Sequence, residues 1–423
     1  MSKIKQIWAR EILDSRGIPT VETACMLDTG QVSVSSVPAG TSTGTHEAVE
    51  LRDGEKDRYL GQGVMKAVGN VNTTLGPALA GMDPTDQFNI DKTLIDLDGT
   101  ENKSKFGANA ILSVSEAVCR AGSMVTNTPV YGWIYTLASK GGITQKAKIP
   151  TPLFNMINGG LHGAGNLDFQ EFWVVPASNK SFAEGLQIGC EIYQTIGENL
   201  AHRGAIHSVG HEGGYAPNLF TNADAFEVFI ESIKQTRYSL GRDVFLGLDV
   251  AANSFYKNGE YVIKDRSSPL DDSQFLEYYK NLIDQYKLAI VEDAFQEDAW
   301  DSWESLTSEI SATVIVVGDD LLVTNPKRVQ KAIEEKACNG AVIKPNQIGT
   351  ITETLNVVKL VKDAGWKIVV SHRSGETNDS FIADFAVGVA ADYIKSGAPA
   401  RGERVAKYNR LAAIENELAA INK

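Results

Sequence analysis

From residue 244 onward the chain alternates short apolar runs with longer amphipathic stretches, and each apolar run closes on a polar or charged residue. The runs are Val244-Phe-Leu-Gly-Leu-Asp249, Leu288-Ala-Ile-Val-Glu292, Val314-Ile-Val-Val-Gly-Asp319, Ala341-Val-Ile-Lys344 and Lys367-Ile-Val-Val-Ser-His372. Their last residues are 43, 27, 25 and 28 positions apart. Most of these separations suit one strand plus one helix, the unit of a βα barrel or a doubly wound sheet. In either fold the carboxyl ends of parallel strands face the ligand. The pattern therefore predicts Asp249, Glu292, Asp319, Lys344 and His372 around one mouth. A single acidic strand end carries little meaning, but five consecutive units of this kind read as a site.

Upstream, residues 4–36 read as a β-meander. It has a strand over 4–13, a turn at Asp14-Ser-Arg-Gly17, an alternating strand over 20–27, a turn at Asp28-Thr-Gly30 and a return strand over 31–37. Pro38-Ala-Gly-Thr-Ser-Thr-Gly44 follows, a stretch suited either to an exposed loop or to a hinged lid. Residues 56–138 read as mainly helical, with packing helices over 65–79 and 109–124. Ser139-Lys-Gly-Gly142 marks a boundary, dividing the chain into 1–140 and 141–423. Asn325 and Pro326 predict the cap and first turn of a helix carrying Val329, Ala332, Ile333 and Ala337. A closing helix is expected over 403–418.

At 423 residues the chain has room for a small domain and a barrel of roughly 250 residues. A net charge of −13 argues against nonspecific binding to nucleic acid or to an anionic membrane surface. The four cysteines, Cys25, Cys119, Cys190 and Cys338, are widely spaced, which predicts reduced and mostly buried thiols. No apolar run reaches signal-peptide or membrane-spanning length, so a cytoplasmic protein without membrane insertion is expected.

Asp249, Glu292 and Asp319 at neighbouring strand ends form an oxygen-only donor set, which suits a hard cation and Mg²⁺ best. Asp293 and Asp320 follow two of the three, so the pattern leaves the ligand ambiguous by one residue. Lys344 comes next around the mouth, where a nearby divalent cation would disfavour its ammonium form and suit it to act as a general base. Ser371-His-Arg-Ser374 and Lys395 offer donors for a phosphate or carboxylate. Two further glycine-rich loops carry candidate chemistry. One, Asn158 to Gly165, carries His162 and leads to Gln170 and Glu171. The other, Gly210 to Pro217, carries Glu212. A metal, a lysine base, an acid on a loop and an anion pocket together point to proton abstraction beside a carboxylate.

Nearly the whole chain, from Asp14-Ser-Arg-Gly-Ile-Pro-Thr-Val-Glu22 to Ser396-Gly-Ala-Pro-Ala-Arg401, resembles the enolase family. The most specific segments are Asp319-Asp-Leu-Leu-Val-Thr-Asn-Pro326, Ile343-Lys-Pro-Asn-Gln-Ile-Gly-Thr350 and Val370-Ser-His-Arg-Ser-Gly-Glu-Thr377. Enolase-type sites are themselves a standing example of a lysine or histidine base paired with Mg²⁺. The resemblance implies an N-terminal α+β capping domain and an eight-stranded α/β barrel with a modified start. It also implies reversible dehydration of 2-phosphoglycerate to phosphoenolpyruvate. On that resemblance Lys344 takes the C2 proton and Glu212 helps expel the C3 hydroxyl. Asp249, Glu292 and Asp319 hold one Mg²⁺. His162, Gln170, Glu171, His372, Arg373, Ser374 and Lys395 surround the phosphorylated substrate. A second Mg²⁺ arrives with substrate at the 38–44 loop, through the Ala39 backbone. A homodimer or homo-octamer is implied, and so is a cell-surface population beside the cytoplasmic one.

The chain departs from the family pattern at five places. Ala39 replaces a serine of the second metal site, His211 replaces the acidic residue before Glu212, and Leu161 replaces a polar residue beside His162. Ala294 replaces a proline and Ile18 an asparagine. These departures leave two other readings open, a divergent paralogue acting on a related hydroxy acid and a non-catalytic binding protein of the same fold. For the latter a C-terminal lysine, Lys423, is the surface feature to weigh.

Overall fold

The computed structural model describes residues 2–41, 44–163, 165 and 167–421. Ser42 and Thr43 of the glycine-rich loop, Ala164 and Lys423 lie outside the described residues. The meander forms as expected: β1 (Ile4–Leu13), β2 (Pro19–Leu27) and β3 (Val32–Ser36) make an antiparallel sheet in the order β1-β2-β3. The helix Ala108–Val125 packs its buried face on this sheet, with Ser33 Oγ donating to the Ala117 carbonyl at 2.7 Å. The expected helix over 65–79 is one continuous helical run interrupted by a π-type turn at Val71–Leu75.

The second half closes into a barrel of eight strands. These are β4 (Thr151–Asn158), β5 (Glu171–Pro176), β6 (Val244–Asp249), β9 (Leu288–Glu292), β10 (Ile315–Gly318), β11 (Gly340–Ile343), β12 (Lys367–Ser371) and β13 (Tyr393–Lys395). A small hairpin, β7 (Tyr256–Lys257) with β8 (Glu260–Tyr261), sits between β6 and β9 and accounts for the one long spacing of 43 residues. The modified start is visible in the pairing. β5 runs antiparallel to both β4 and β6, while the remaining barrel pairs are parallel. Capping boxes at Ser181–Glu184, Thr221–Asp224 and Asp271–Gln274 begin three of the surrounding helices. Asn325 caps the helix Pro326–Glu334 by accepting from the Lys327 N–H.

The barrel interior is a plug of Leu153, Trp173, Val175, Ile290, Val317, Val342 and Val369, packed separately from the larger core between barrel and helices. Alternation along a strand sends residues two apart to the same face. Ile290 therefore shares its inward face with Glu292, Val317 with Asp319, Val342 with Lys344, Val369 with Ser371 and Trp173 with Glu171. The apolar plug thus fixes which polar residues rise above it. Gly247 gives Trp173 its space: a Cβ there would stand 3.0 Å from the indole. His372 falls out of this phase, and Ser371 takes the inward position.

The two halves meet through a buried polar contact. Ser35 Oγ donates to Glu116 at 2.7 Å and contacts Asp379 at 3.3 Å, and Arg120 pairs with Asp379. Burial, then repulsion from Asp379, pushes the Glu116 carboxyl from its ordinary 4.5 up to about 8. Its folded value lies above its unfolded one. Its contribution to stability is therefore full below 4.5 and is lost as pH rises through about 8. Glu116→Gln is expected to flatten that decline in urea-unfolding midpoints measured across the same interval; an unchanged slope would remove Glu116 as its cause.

Candidate active site

Strand register sets three carboxylates in a row, Glu171 opposite Asp249 and Asp249 opposite Glu292. Lys395, the last residue of β13, reaches all three: its Nζ lies 3.2 Å from Glu171, 3.1 Å from Asp249 and 2.6 Å from Glu292. Burial, then repulsion from Glu212, pushes the Glu171 carboxyl up to about 8. Burial also raises Glu292 well above the usual range. Burial opposes the Lys395 ammonium, but the surrounding carboxylates outweigh it and hold the group charged. Trp173 donates to Glu171 Oε2 at 2.8 Å, with its ring 5.2 Å from the ammonium. Gln170 donates to Asp249 Oδ2 at 3.1 Å.

Lys344 pairs with Asp319, whose other oxygen accepts from Gln347 Nε2 at 3.2 Å. Thr324 Oγ1 accepts from the Lys344 N–H at 3.0 Å and donates to Gln347 at 2.7 Å. Burial pulls the Lys344 ammonium down, yet Asp319 more than offsets it and the group is held above the ordinary lysine value. The protein's own charges thus act against the lowering expected of a bound cation. The neighbouring carboxylates of each pair make different contacts. Asp293 spends both oxygens on the N–H groups of Asp319 and Asp320, each at 2.8 Å, and Asp320 accepts from Asn253 at 3.2 Å. Asp319 alone of the pair forms the ion pair with Lys344. Asp293 holds this turn from a left-handed backbone conformation, φ 48°, uncommon for a residue with a Cβ.

Glu212 is buried under β4. A bulge between Asn155 and Ile157 brings Asn155 and Asn158, three residues apart, to the same carboxylate oxygen, at 2.9 and 3.1 Å. His162 Nδ1 approaches the other oxygen at 3.1 Å without an aligned hydrogen bond, and His372 Nε2 stands 3.8 Å from it. Burial works against a charged Glu212, but the two imidazoles and the donors hold its carboxyl well below the ordinary range. Burial likewise opposes charge on His162, and Glu212 overcomes it, so His162 is raised. The proton of the pair rests on the imidazole. His211, which stands where an acidic residue was expected, is held down by burial and then by His162 and Arg16.

Arg373 and Ser374 are tied to the segment that carries the glycine-rich loop. Arg373 forks onto Glu47 at 2.9 and 3.2 Å and donates to Asn346 at 3.2 Å. Ser374 Oγ accepts from the Thr41 N–H at 2.9 Å. Ala39 exchanges both backbone hydrogen bonds with Gly375, at 2.8 and 2.9 Å, and its carbonyl also accepts from Arg16 at 3.2 Å. The carbonyl assigned to a second metal is therefore already engaged. A Cβ at Gly375 would fall 2.2 Å from the side-chain ends of Arg16 and Asp14, so their ion pair would have to shift to admit one.

These groups converge on a cavity of about 440 Å³ that includes His162, Gln170, Glu171, Glu212, Asp319, Lys344, His372, Arg373, Ser374 and Lys395 in its lining. Leu161 stands at its lip, 61% exposed. The donor chemistry fits a hard cation. Among the described residues, the buried oxygens Asp249 Oδ1 and Glu292 Oε2 meet no hydrogen-bond donor, and Asp293, Asp319 and Asp320 bring carboxylate oxygens within 4.8 Å of one another.

The family model described as enolase, C-terminal TIM barrel domain, matches residues 146–423, and that described as enolase, N-terminal domain, matches residues 4–134. The chain belongs to the enolase family. Its barrel and its antiparallel-sheet domain with helices are those of that family, and membership points to a lyase-type enzyme handling small phosphorylated substrates. The enolase family is in general Mg²⁺-dependent. Among the described residues no helix is long and apolar enough to cross a membrane.

Sequence reasoning missed Asn155, Asn158, Glu47, Arg16, Trp173 and Arg404. Asn155 and Asn158 were visible as polar interruptions of an apolar strand. Glu47, Arg16 and Arg404 carry no local signal, because their partners lie far away in the chain. Asp293→Ala would leave two buried N–H groups unsatisfied, at about 1–3 kcal/mol each. A stability loss of about 2–6 kcal/mol in denaturant unfolding is expected on that basis; a loss under about 1 kcal/mol would mean the turn holds without Asp293.

Proposed function

We propose that the protein is a Mg²⁺-dependent enolase that reversibly dehydrates 2-phosphoglycerate to phosphoenolpyruvate. The observation that carries this reading is the meeting of Lys344 and the Glu212–His162 pair in one cavity beside Lys395, Arg373 and Ser374. β11 and β4, which bring the base and the seat of the acid, are three places apart around the eight-stranded barrel, so the two groups enter from different sides.

Arg373, Ser374 and Lys395 bind and orient the anionic substrate. Lys344, released from Asp319, first gives up its ammonium proton to solvent and, as the neutral amine, accepts the proton from C2. The Glu212–His162 pair supplies the proton with which the C3 hydroxyl leaves as water, the imidazole being where that proton is stored. Asp249, Glu292 and Asp319 are the residues that would hold the metal, with Gln170 and Lys395 as neighbours. A bound Mg²⁺ supplies positive charge where negative charge develops on the substrate carboxylate. A cytoplasmic homodimer or homo-octamer, divided near residue 140, accompanies this reading.

A second reading, dehydration of a related hydroxy acid, is favoured by the exposed apolar Leu161 at the cavity lip. Comparing turnover of phosphorylated and unphosphorylated hydroxy acids separates the two.

Ultraviolet absorbance should rise when the protein meets 2-phosphoglycerate with Mg²⁺ and stay flat with a chelator. Lys344→Ala should cut kcat by ~10²–10⁴-fold with the fold intact, the scale of a lost general base. A fully active Lys344→Ala protein would sink the reading. Calorimetric titration gives a test independent of turnover: Asp249→Asn and Glu292→Gln should each weaken Mg²⁺ binding, and unchanged binding in both would remove them from the metal site.

A further inference from the structure

Arg404 lies in the closing helix Gly402–Ile421 and is 0% exposed, an unusual place for a guanidinium. Its two terminal nitrogens make four contacts, all at the active-site wall. Nη1 lies 2.6 Å from His372 Nδ1 and donates to the Arg373 carbonyl at 2.7 Å. Nη2 donates to the His211 carbonyl at 3.0 Å and the Ser374 carbonyl at 2.7 Å. The group thus joins the backbone next to Glu212 to the strand end that carries the anion-binding pair.

The contact with His372 has a definite chemical consequence. A guanidinium has donors only and stays protonated. At 2.6 Å from it, Nδ1 must be the acceptor and carry no proton. The neutral ring then carries its one hydrogen on Nε2, the nitrogen 3.8 Å from Glu212 Oε1. Adding a second proton would place N–H against guanidinium. Burial already disfavours the imidazolium, and the cations Arg404, Lys395 and Lys344 act in the same direction against the single opposing carboxylate of Glu212.

We propose that Arg404 is a positioning residue that locks His372 as the neutral Nε2–H tautomer. His372 then serves as a fixed donor facing Glu212 and the cavity, and only His162 stores the proton of the acid pair. The kinetic part of this inference rests on the function proposed above; the tautomer does not.

The test uses the full-length protein labelled with ¹⁵N-histidine. Its six histidines give a small set of ring signals, and His372→Gln identifies the one that matters. The expected result for the unsubstituted protein is an Nε2–H ring with a bare Nδ1, unchanged through the neutral pH range. A hydrogen on Nδ1, or a doubly protonated ring, would overturn the proposal without any variant being needed.

Arg404→Lys keeps the charge and loses the fork. It is expected to leave His372 as a mixture of tautomers and to lower kcat by ~10-fold or more, the scale on which outer partners of a site histidine act, with KM changed much less. A well-folded Arg404→Lys protein with an unchanged tautomer and unchanged kcat would overturn the proposal. If the unsubstituted protein shows the Nε2–H ring but does not turn over 2-phosphoglycerate, the functional reading fails and the tautomer lock stands.

Discussion

Three buried carboxylates share one ammonium, and the barrel mouth depends on that arrangement. Glu171, Asp249 and Glu292 come from three adjacent strands, and Lys395 comes from a fourth. Removing one partner of a buried ion pair typically costs about 3–5 kcal/mol because the remaining charge is stranded. Here three buried carboxyl groups would lose their shared partner at once. Replacing the whole cluster with apolar residues would be far less harmful to folding. The cluster is therefore explained by chemistry and not by stability.

The same logic runs outward from the plug. Ile290, Val317, Val342 and Val369 fill the barrel and fix the pleat. The pleat then commits Glu292, Asp319, Lys344 and Ser371 to the inward face. No loop flexibility enters into this part of the site, so its groups are held as firmly as the barrel itself. The acid side is built differently. Glu212 sits on a loop and gains its precision from Asn155, Asn158 and the carbonyl held by Arg404 on the preceding residue.

The small domain contributes to the site without contributing any of the expected catalytic groups. Glu47 neutralises Arg373, and Thr41 occupies Ser374. The chain just before Thr41 is also pinned by the backbone pair of Ala39 with Gly375.

By itself the sequence determined the N-terminal meander, five apolar strand runs of the second half and the groups that end them, from Asp249 to His372. Those features follow from apolar patterning and spacing, which are properties of the linear chain; the eight-stranded barrel and its small companion domain were implied only by the resemblance to the enolase family. Two expectations needed the third dimension to be settled. Asp319 and Asp320 are equivalent to a spacing argument, and only the fold shows that Asp319 pairs with Lys344 while Asp320 accepts from Asn253. His372 falls one residue out of phase, and its chemistry is set by Arg404, 32 positions later. Glu47, Arg16 and Arg404 were illegible for the same reason: a charged residue in an amphipathic stretch looks solvated until another part of the chain covers it. Which carboxyls are raised and which are lowered was also beyond the sequence. That depends on burial and on distances of a few ångströms between residues that are far apart in the chain.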